Sequence, residues 1–307
     1  MGQLSRTLSL REGLLESGLA EGEVVLVTDD NPVAHAGAAG IPARFHPPSE
    51  VSIADLAGSV HASVVVIDDR RAYSPEELQG IRTHARIVAI DNADLGKAAD
   101  LTIIPYCHFE PGPGEEAFLS GPEYTLIGRA ARAMPSRNSP VGRPKTLTIA
   151  TGGTDPDRVT EKLIGWARSS RLPIGFRFLL GHGMTTDRAS ALTAQASANV
   201  AFAPFSLERL AEAELAICVF GVTAYEAIHL GIPLLTMAHH PRNEDAAARL
   251  EEVFPGVRDV GLASTLTAKR LDAEISGYLS SRLGKTLDFP RFDAGPTACA
   301  RAILKLV

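Results

Sequence analysis

The sequence predicts an α/β protein made of two doubly wound domains that face a cleft. The first observation is that short apolar runs alternate with helical segments, a pattern typical of parallel sheets with crossover helices. The second is that residues 133–144, AMPSRNSPVGRP, are rich in Pro, Ser and Arg and lack a hydrophobic period, as a linker does. The alternation restarts after this stretch. We therefore expect an N-terminal domain of residues 1–135 and a C-terminal domain of residues 145–307.

In the N-terminal domain, leucines recur near helical spacing and predict an amphipathic helix over residues 1–20. Apolar and β-branched residues then predict strands, which are separated by helical or loop segments such as residues 75–85. These strands cover residues 24–28, 62–67, 87–90 and 101–104.

The C-terminal domain repeats the alternation. Its predicted strands cover residues 146–150, 174–180, 200–203 and 216–220, followed by one more strand after residue 231. Its predicted helices cover residues 155–169, 186–196 and 205–214. A last helix over residues 296–306 is expected to pack back across the domain boundary.

Composition and residue spacing argue against several classes of function. A formal net charge of -6 argues against a surface for nucleic acid or anionic membrane. No apolar run reaches the length of about 18 residues that spans a bilayer, and the first residues lack a signal-peptide core, so we expect a cytoplasmic protein. The three cysteines are scattered and show neither disulfide nor zinc spacing, and no His, Asp or Glu spacing suggests a metal site. We expect no cofactor.

Residues 215–243, LAICVFGVTAYEAIHLGIPLLTMAHHPRN, place a glycine turn between an apolar strand and a helix. Gly221 permits a backbone bend, and the free amides at the helix start favour a diphosphate through hydrogen bonds and the helix dipole. Thr223 and Glu226 also fit a capping box, T-x-x-E, which needs no ligand. In the functional interpretation, the Glu226 carboxylate accepts hydrogen bonds from two adjacent ribose hydroxyls.

A second glycine turn follows the predicted strand at residues 146–150. Gly152 and Gly153 allow a ligand to approach the backbone closely, while Asp155 is predicted as the N-cap and Pro156 as the first residue of the next helix. A tight turn without a ligand would have the same sequence. Two such turns in one predicted domain favour the ligand.

These motifs resemble a known family. GGTDPDRVTEKL is similar to a G-G-[ST]-D-P-x-x-x-T-x-K motif, and FGVTAYEAIHLGIPLL followed by RNEDAAARLEE is similar to G-G-x-T-x-x-E-x-x-x-x-G-x-P followed by N-Q-x-x-x-A-x-x-L. Both motifs are typical of the nucleotide-sugar hydrolase of pseudaminic acid biosynthesis and its spore-coat polysaccharide relatives. GPEYTL and VVID in the N-terminal domain extend the similarity over nearly the whole chain.

The resemblance implies the GT-B fold, which this family shares with the peptidoglycan lipid II glycosyltransferase, and a UDP-sugar as the ligand. It further implies that the diphosphate binds at the turn of Gly221, Val222 and Thr223, and that Glu226 binds ribose. Gly152, Gly153 and Thr154 would lie on the nucleotide side of the cleft. Asn243 would face the sugar or the diphosphate.

The chain departs from the family pattern near its first residues. The family begins with a strand followed by G-x-G-H-x-x-R, which places Gln3 at the histidine position and Arg6 at the arginine. A neutral amide cannot accept a proton at ordinary pH, so Asp68 is a candidate substitute base, as are Asp69, Asp29 and Asp30. The first strand is missing from the match, and because it lies centrally in a doubly wound sheet, its loss should expose apolar neighbours on both sides.

Three functions remain open at this point. In a nucleotide-sugar hydrolase, water displaces UDP while Arg6 and helix-terminus amides stabilise the leaving diphosphate. In a GT-B glycosyltransferase, an acceptor hydroxyl replaces the water. In a nucleotide-sugar binding subunit, catalysis is lost. The hydrolase is the leading expectation, and the other two are alternatives.

Overall fold

A computed structural model describes residues 2–46, 52–107, 109–112 and 117–307. Contacts between Cα atoms divide the chain into two compact units. The N-terminal unit comprises Gln3–Arg129 together with Phe292–Val307, and the C-terminal unit comprises mainly Ala130–Arg291. The final helix therefore belongs to the N-terminal unit, which is built from two separate stretches of the chain.

The described strands of the N-terminal unit are β1 (Leu26–Asp29), β2 (Ala43–His46), β3 (Val64–Ile67), β4 (Arg86–Ile90), β5 (Leu101–Ile104) and β6 (Phe118–Ser120). Its helices are α1 (Gly2–Glu16), α2 (Pro32–Gly37), α3 (Ile53–Ser59), α4 (Pro75–Arg82), α5 (Ala93–Gly96) and, at the end of the chain, α13 (Gly295–Leu304). Sequence predicts β3, β4 and β5 within two residues of their observed ends. It misses β2, whose four residues include Arg44 and His46, and β6, which is only three residues long.

The described strands of the N-terminal unit form two separate parallel sheets. One contains β1 and β2, and the other has the order β3-β4-β5-β6. Along β4, Val88 and Ile90 pack in one apolar cluster with α1 and α13, while Ile87 and Ala89 pack in another with α4. Because side chains alternate along a strand, the larger sheet is covered on both faces.

The C-terminal unit contains a single six-stranded parallel sheet. Its strands are β7 (Thr146–Ala150), β8 (Gly175–Leu180), β9 (Val200–Pro204), β10 (Ala216–Val219), β11 (Leu234–Ala238) and β12 (Val257–Leu262). Its helices are α6 (Arg129–Ala133), which spans the boundary, α7 (Val159–Ser169), α8 (Thr186–Thr193), α9 (Leu207–Ala211), α10 (Val222–His229), α11 (Glu244–Val253) and α12 (Ala268–Arg282). Each connection from β7 to β12 carries a helix, as parallel strands require.

The order of this sheet is β12-β11-β10-β7-β8-β9. The chain therefore starts in the middle, builds outward to β9, returns to the other side of β7 and builds outward again. This is the strand order of a Rossmann fold, and its reversal point lies between β7 and β10. Trp166, Phe176, Phe178 and Ile275 belong to one large apolar cluster of the unit.

The prediction for the helix after β7 is wrong at its start. Asp155 is not the N-cap and Pro156 is not helical, because Asp155 adopts a left-handed conformation at φ 45° and the helix begins only at Val159. The sequence prediction also omits β12 and α12, which complete the sheet and its core. None of the helices in the described residues has the length and apolar character that a membrane crossing requires.

Candidate functional site

Three neighbouring strands of the C-terminal sheet end at one edge. β7 pairs with β10 and β10 pairs with β11, all in parallel, so their carboxyl ends lie side by side. The turn with Gly152 follows β7, the turn with Gly221 follows β10, and Asn243 follows β11 by way of a short 3₁₀ turn. The first two flank the point where strand order reverses, which is where open α/β sheets form a ligand crevice.

Gly221 makes the turn between β10 and α10. Its φ of 151° and ψ of -168° are open to glycine and strained for a residue with a side chain. Gly221 is the N-cap of α10, and its carbonyl accepts hydrogen bonds from the amides of Ala224 at 3.0 Å and Tyr225 at 3.4 Å. Among the described residues, no group accepts a hydrogen bond from the amides of Val222 and Thr223. The turn therefore presents two free donors at a helix start.

The capping-box interpretation of Thr223 and Glu226 is wrong. Thr223 is the second residue of α10 and not its N-cap, so its hydroxyl cannot cap the first turn in that way. Glu226 is buried in the same helix, with 8% of its surface exposed. Burial raises the pKa of its carboxyl group to about 7, and no charged or hydrogen-bonding group among the described residues offsets this increase. A ligand that donates hydrogen bonds would do so.

Asn243 is a second buried polar residue at this edge. It is only 7% exposed, and its Oδ1 atom has no hydrogen-bond partner in the described structure. It occupies the N-cap of α11, yet its side chain does not cap that helix. A buried carbonyl oxygen without a donor costs about 1–3 kcal/mol, which a bound hydroxyl or amide would recover.

The turn after β7 is shaped by close backbone packing. Gly152 has a φ of 96°, and a Cβ atom built at Gly152 would lie 3.6 Å from Val219 at the end of β10. The carbonyl of Gly153 accepts a hydrogen bond from the Gly183 amide at 2.9 Å. At Gly181, a Cβ atom would lie 2.3 Å from the Gly152 oxygen, so only glycine fits there. Thr154 is exposed at the tip of this turn.

Asp155 and Arg188 fix the end of the same turn. The buried Asp155 carboxylate accepts hydrogen bonds from the amides of Val159 at 2.8 Å and Thr160 at 3.0 Å, which caps α7 from upstream. The Arg188 guanidinium donates to the Asp155 carboxylate at 2.8 Å and to the carbonyl oxygens of Thr154 at 3.0 Å and Asp155 at 2.8 Å. Arg188 thus ties the turn to α8.

Arg188 also binds Glu161, with Oε2 at 2.7 Å from Nη2. Partial burial raises the pKa of the Glu161 carboxyl group, but hydrogen bonds from Arg188 and Arg158 lower it to about 2. Sequence reasoning missed Arg188, because it lies 33 residues from Asp155 in a helix without a recognisable motif. The sequence shows Gly181 only as one member of a glycine pair, Gly181 and Gly183, and does not indicate its contact with the turn after β7.

The N-terminal unit contains a separate buried cluster around Arg6, on α1. Its guanidinium donates to both oxygens of Asp68, at 2.6 and 3.2 Å, to Asp91 at 2.7 Å, and to the Tyr106 hydroxyl. These three partners follow β3, β4 and β5. Burial alone would lower the pKa of Arg6, but Tyr106 and the two carboxylates raise it well above its ordinary value.

This cluster adds a structural role to Arg6 and Asp68, whose catalytic roles stay predictions. Arg6 was expected to stabilise a leaving diphosphate, but two carboxylates already neutralise it and occupy its donors. Asp68 was a candidate base, yet both of its oxygens accept hydrogen bonds from Arg6. Gln3 is exposed in the first turn of α1, and its carbonyl accepts a hydrogen bond from the Thr7 hydroxyl at 3.0 Å.

The structure therefore sorts the predicted residues into two groups. Arg6 and Asp68 come together in the N-terminal unit, one turn of α1 from Gln3. The others lie at the carboxyl edge of the C-terminal sheet or in the helices that start there, and they are Gly152, Gly153, Thr154, Gly221, Val222, Thr223, Glu226 and Asn243.

Solved structures of similar fold cover almost the whole chain. MurG of Acinetobacter baumannii superposes with a TM-score of 0.64 at 15% identity, covering 99% of this chain and 96% of its own. The spinosyn rhamnosyltransferase SpnG, solved with spinosyn aglycone, gives a TM-score of 0.58 at 14% identity and coverages of 99% and 93%. UDP-GlcNAc 2-epimerase from Neisseria meningitidis, bound to UDP-GlcNAc, gives 0.54 at 10% identity and coverages of 99% and 97%.

No protein-family model and no curated protein sequence matches the chain. The structural matches nevertheless include GT-B glycosyltransferases over nearly full length on both sides. The protein therefore has the GT-B fold, with two Rossmann-like units. At these identities the likeness defines the fold and leaves the reaction to be argued from the site.

Proposed function

We propose that this protein is a GT-B glycosyltransferase that takes a nucleotide-sugar donor at the carboxyl edge of its C-terminal sheet. The observation that carries the proposal is the meeting of the Gly152 and Gly221 turns at the strand-order reversal, beside two buried polar side chains that lack partners in the part of the chain that the structure describes. Glu226 and Asn243 are those side chains. A ligand with an anionic centre and several hydroxyl groups matches this set.

In the proposal, the amides of Val222 and Thr223 bind the diphosphate. They are the free donors at the start of α10, and the helix dipole adds a favourable field for negative charge. Gly221 has no side chain to keep the phosphates away. Because negative charge grows on the diphosphate as the glycosidic bond breaks, the same donors stabilise the transition state more than the ground state.

In the proposal, Glu226 binds the ribose of the donor and Asn243 binds its sugar. A buried carboxylate near a diphosphate can accept hydrogen bonds from both ribose hydroxyls, which would favour its ionised form. The unpaired atom of Asn243 is an oxygen, so it calls for a donor such as a sugar hydroxyl and not for a phosphate oxygen. Gly152, Gly153 and Thr154 would line the nucleoside, for which uridine is the choice implied by the sequence motifs.

Hydrolysis of the same donor is the second candidate. The specific observation that favours it is the sequence resemblance of GGTDPDRVTEKL and FGVTAYEAIHLGIPLL to nucleotide-sugar hydrolases. Transfer ranks first because solved structures that share the fold over almost the whole chain include SpnG, a rhamnosyltransferase by name, and CalG4, a glycosyltransferase by name. Both reactions use the same donor site. The tasks expected of Gln3, Arg6 and Asp68 stay predictions, and the ion pair between Arg6 and Asp68 also holds α1 in place.

The test is incubation of the full chain with a panel of UDP-, CDP- and GDP-sugars, with and without a crude acceptor extract, following release of the nucleoside diphosphate. Transfer predicts release that depends on the acceptor. Release without any acceptor would replace transfer by hydrolysis. Calorimetric binding without release would indicate a binding subunit, and absence of binding would reject the donor site itself.

A matched pair of variants connects the result to the site. Glu226→Gln removes the buried charge and should weaken nucleotide binding by about tenfold, which corresponds to roughly 1.4 kcal/mol of binding free energy. Glu208→Gln changes an exposed residue of α9 in the same unit and should leave binding unchanged. Equal affinities for the two variants would contradict the assignment of Glu226.

A further inference from the structure

The amino edge of the larger N-terminal sheet borders a cavity of about 330 Å³. Ser63 comes directly before β3, Arg86 is the first residue of β4, and Asp100 comes directly before β5. Because these parallel strands are neighbours, the three residues lie at one edge of the sheet. Asp68 follows β3 at the opposite edge, about 16 Å from Ser63 at the usual rise of a strand. The cavity is therefore separate from the cluster of Arg6 and Asp68.

Polar side chains form most of the cavity wall. They come from the three strand starts and from the end of α4, and they are Ser63, Arg82, Thr83, His84, Arg86 and Asp100. We call this set the amino-edge site. Its two arginines outnumber its one aspartate, so the site is positive, although the whole chain has a formal charge of -6. A local excess of positive charge on an acidic protein favours an anionic ligand.

Both arginines of the amino-edge site are held by one hydrogen bond each. Nη1 of Arg86 donates to Oδ1 of Asp100 at 3.1 Å, and Oδ2 of Asp100 accepts from the Ile87 amide at 2.8 Å, which fixes the carboxylate. Nη2 of Arg82 donates to the Ala98 carbonyl. A guanidinium group has five N–H donors, so each arginine keeps donors that it can offer to a ligand.

His84 and Ser63 add further donors. A Cβ atom at Gly58 would lie 3.0–3.3 Å from three atoms of the His84 ring, so the ring rests against α3. Neither the His84 ring nor the Ser63 hydroxyl has a hydrogen-bond partner among the residues that the structure describes. The carbonyl groups in the last turn of α4 accept hydrogen bonds from the amides of residues 83–85 and do not compete for these donors.

We propose that the amino-edge site binds a phosphate monoester of a small molecule through Ser63, Arg82, His84 and Arg86. Phosphate oxygens accept several hydrogen bonds at once, and the planar guanidinium group matches them with two parallel donors. The cavity volume is at the lower end of the range of about 300–1,000 Å³ for small-molecule pockets, which leaves room for an organic group beside the phosphate. This inference does not depend on the proposed function.

The test titrates the full chain with glycerol phosphate, inorganic phosphate and acetate at low ionic strength, where surface charges are least screened. The backbone amide NMR signals of Ser63, His84 and Arg86 report on the amino-edge site, and those of Val222 and Thr223 report on the turn before α10. We expect glycerol phosphate to shift the first group of signals until they saturate. Because the two groups are measured separately, failure of this proposal is distinct from failure of the donor site.

Matched variants connect the binding to named side chains. Arg86→Ala should weaken glycerol phosphate binding by at least about tenfold, and its side chain is 63% exposed, so the fold should persist. Arg71→Ala is the control, because Arg71 is an exposed arginine of the same unit that pairs with Glu77, and it should change affinity by no more than about twofold. Asp100→Asn keeps an oxygen for the Ile87 amide and removes the negative charge, so it should strengthen binding about threefold.

The proposal would be overturned by a lack of shifts at the three amides of the amino-edge site with glycerol phosphate. Equal losses of affinity in Arg86→Ala and Arg71→Ala would also overturn it, as would weaker binding by Asp100→Asn. Acetate that binds as tightly as the phosphates would exclude a phosphate site. Glycerol phosphate should bind at least as tightly as inorganic phosphate, and weaker binding would exclude a monoester.

Discussion

The guanidinium of Arg6 and the carboxylate of Asp68 form a two-point contact, with Nη2 2.6 Å from Oδ1 and Nε 3.2 Å from Oδ2. Both side chains are almost completely buried, at 5% and 4% exposure. Asp91 shares the same guanidinium and adopts a left-handed backbone conformation at φ 52°, which few non-glycine residues do. α1 is therefore held by ion pairs at the ends of two strands and by the Tyr106 hydroxyl after a third.

Arg6→Met should destabilise the protein strongly. Removing the cation leaves Asp68 and Asp91 buried near each other, and breaking a buried ion pair in this way costs about 3–5 kcal/mol. Arg70→Ala is the control, because Arg70 also contacts Asp91 but its side chain is 44% exposed. We expect the control to cost at most about 1 kcal/mol. Urea unfolding measures both, and similar losses would contradict the prediction.

Arg188→Ala should weaken nucleotide binding. The variant removes the donors to the Thr154 and Asp155 carbonyls, so the turn after β7 loses its tie to α8, and we expect about a tenfold lower affinity. Arg158→Ala removes a second arginine side chain from Glu161 and removes none of the side-chain hydrogen bonds to Thr154 and Asp155. It should leave affinity unchanged. Arg188→Lys should recover only part of the loss, since an ammonium group cannot reproduce the planar fork. Calorimetry with UDP distinguishes these outcomes.

Gly181→Ala should push the same turn out of place. The added Cβ would lie 2.3 Å from the Gly152 oxygen and 2.4 Å from the Gly153 oxygen, so the backbone must move. We expect a loss of about 1–3 kcal/mol in stability together with weaker nucleotide binding. Gly165→Ala is the matched control, because open space surrounds Gly165 in α7, and it should gain about 0.5–1 kcal/mol. Thermal unfolding with and without UDP measures stability and binding for both variants. Equal results for Gly181→Ala and Gly165→Ala would contradict the prediction.

Glu226→Gln should stabilise the unliganded protein at high pH. The folded-state pKa of about 7 lies above the ordinary value of 4.5, so the wild-type chain loses stability as pH rises between these values. Below pH 4.5 the carboxyl group is neutral in both states and the variant gains nothing. Above pH 7 the variant should be more stable by about 3 kcal/mol. Unfolding at pH 4.5, 6 and 8 tests this, and a difference independent of pH would refute it.

Asn243→Ala should separate stability from binding. Because Oδ1 has no partner to lose in the described structure, we expect the stability to stay the same or to rise by about 1–3 kcal/mol, while affinity for a nucleotide sugar falls about tenfold. Asn199→Ala is the opposite case. Its amide donates to the Ala167 carbonyl at 3.3 Å, so its loss should lower stability and leave affinity unchanged. Paired unfolding and calorimetry measurements decide between the two patterns.

Local sequence signals predicted the two glycine turns and every described strand except β2, β6 and β12, because buried parallel strands and glycine bends leave short-range patterns. β5 and β7 begin and end where the apolar runs do. The same signals failed at Asp155, where D-P suggested an ordinary helix start. The actual start depends on Arg188, which reaches Asp155 from another helix. Long-range electrostatics of this kind cannot be read from a local motif.

The candidate site also combines features that local sequence patterns predict with features that only the folded structure shows. Gly221 and Glu226 could be proposed from spacing, but the absence of a cap at Thr223 required the backbone geometry. The resemblance predicts that Arg6 contacts the diphosphate, because Arg6 aligns with the arginine of the family motif G-x-G-H-x-x-R. Its pairing with Asp68 and Asp91 depends on how the ends of β3 and β4 converge on α1, which composition and periodicity do not specify.

The last helix, α13, contributes Cys299, Ala300 and Ile303 to the cluster that contains Leu10 and Val88. During synthesis on the ribosome, that helix emerges after the whole C-terminal unit has been made. The core of the N-terminal unit therefore stays incomplete until the last helix has been made, whereas all strands of the C-terminal unit are available before that point. The order of translation and the order of final folding should be reversed in this chain, with the N-terminal unit exposed to proteases for longer.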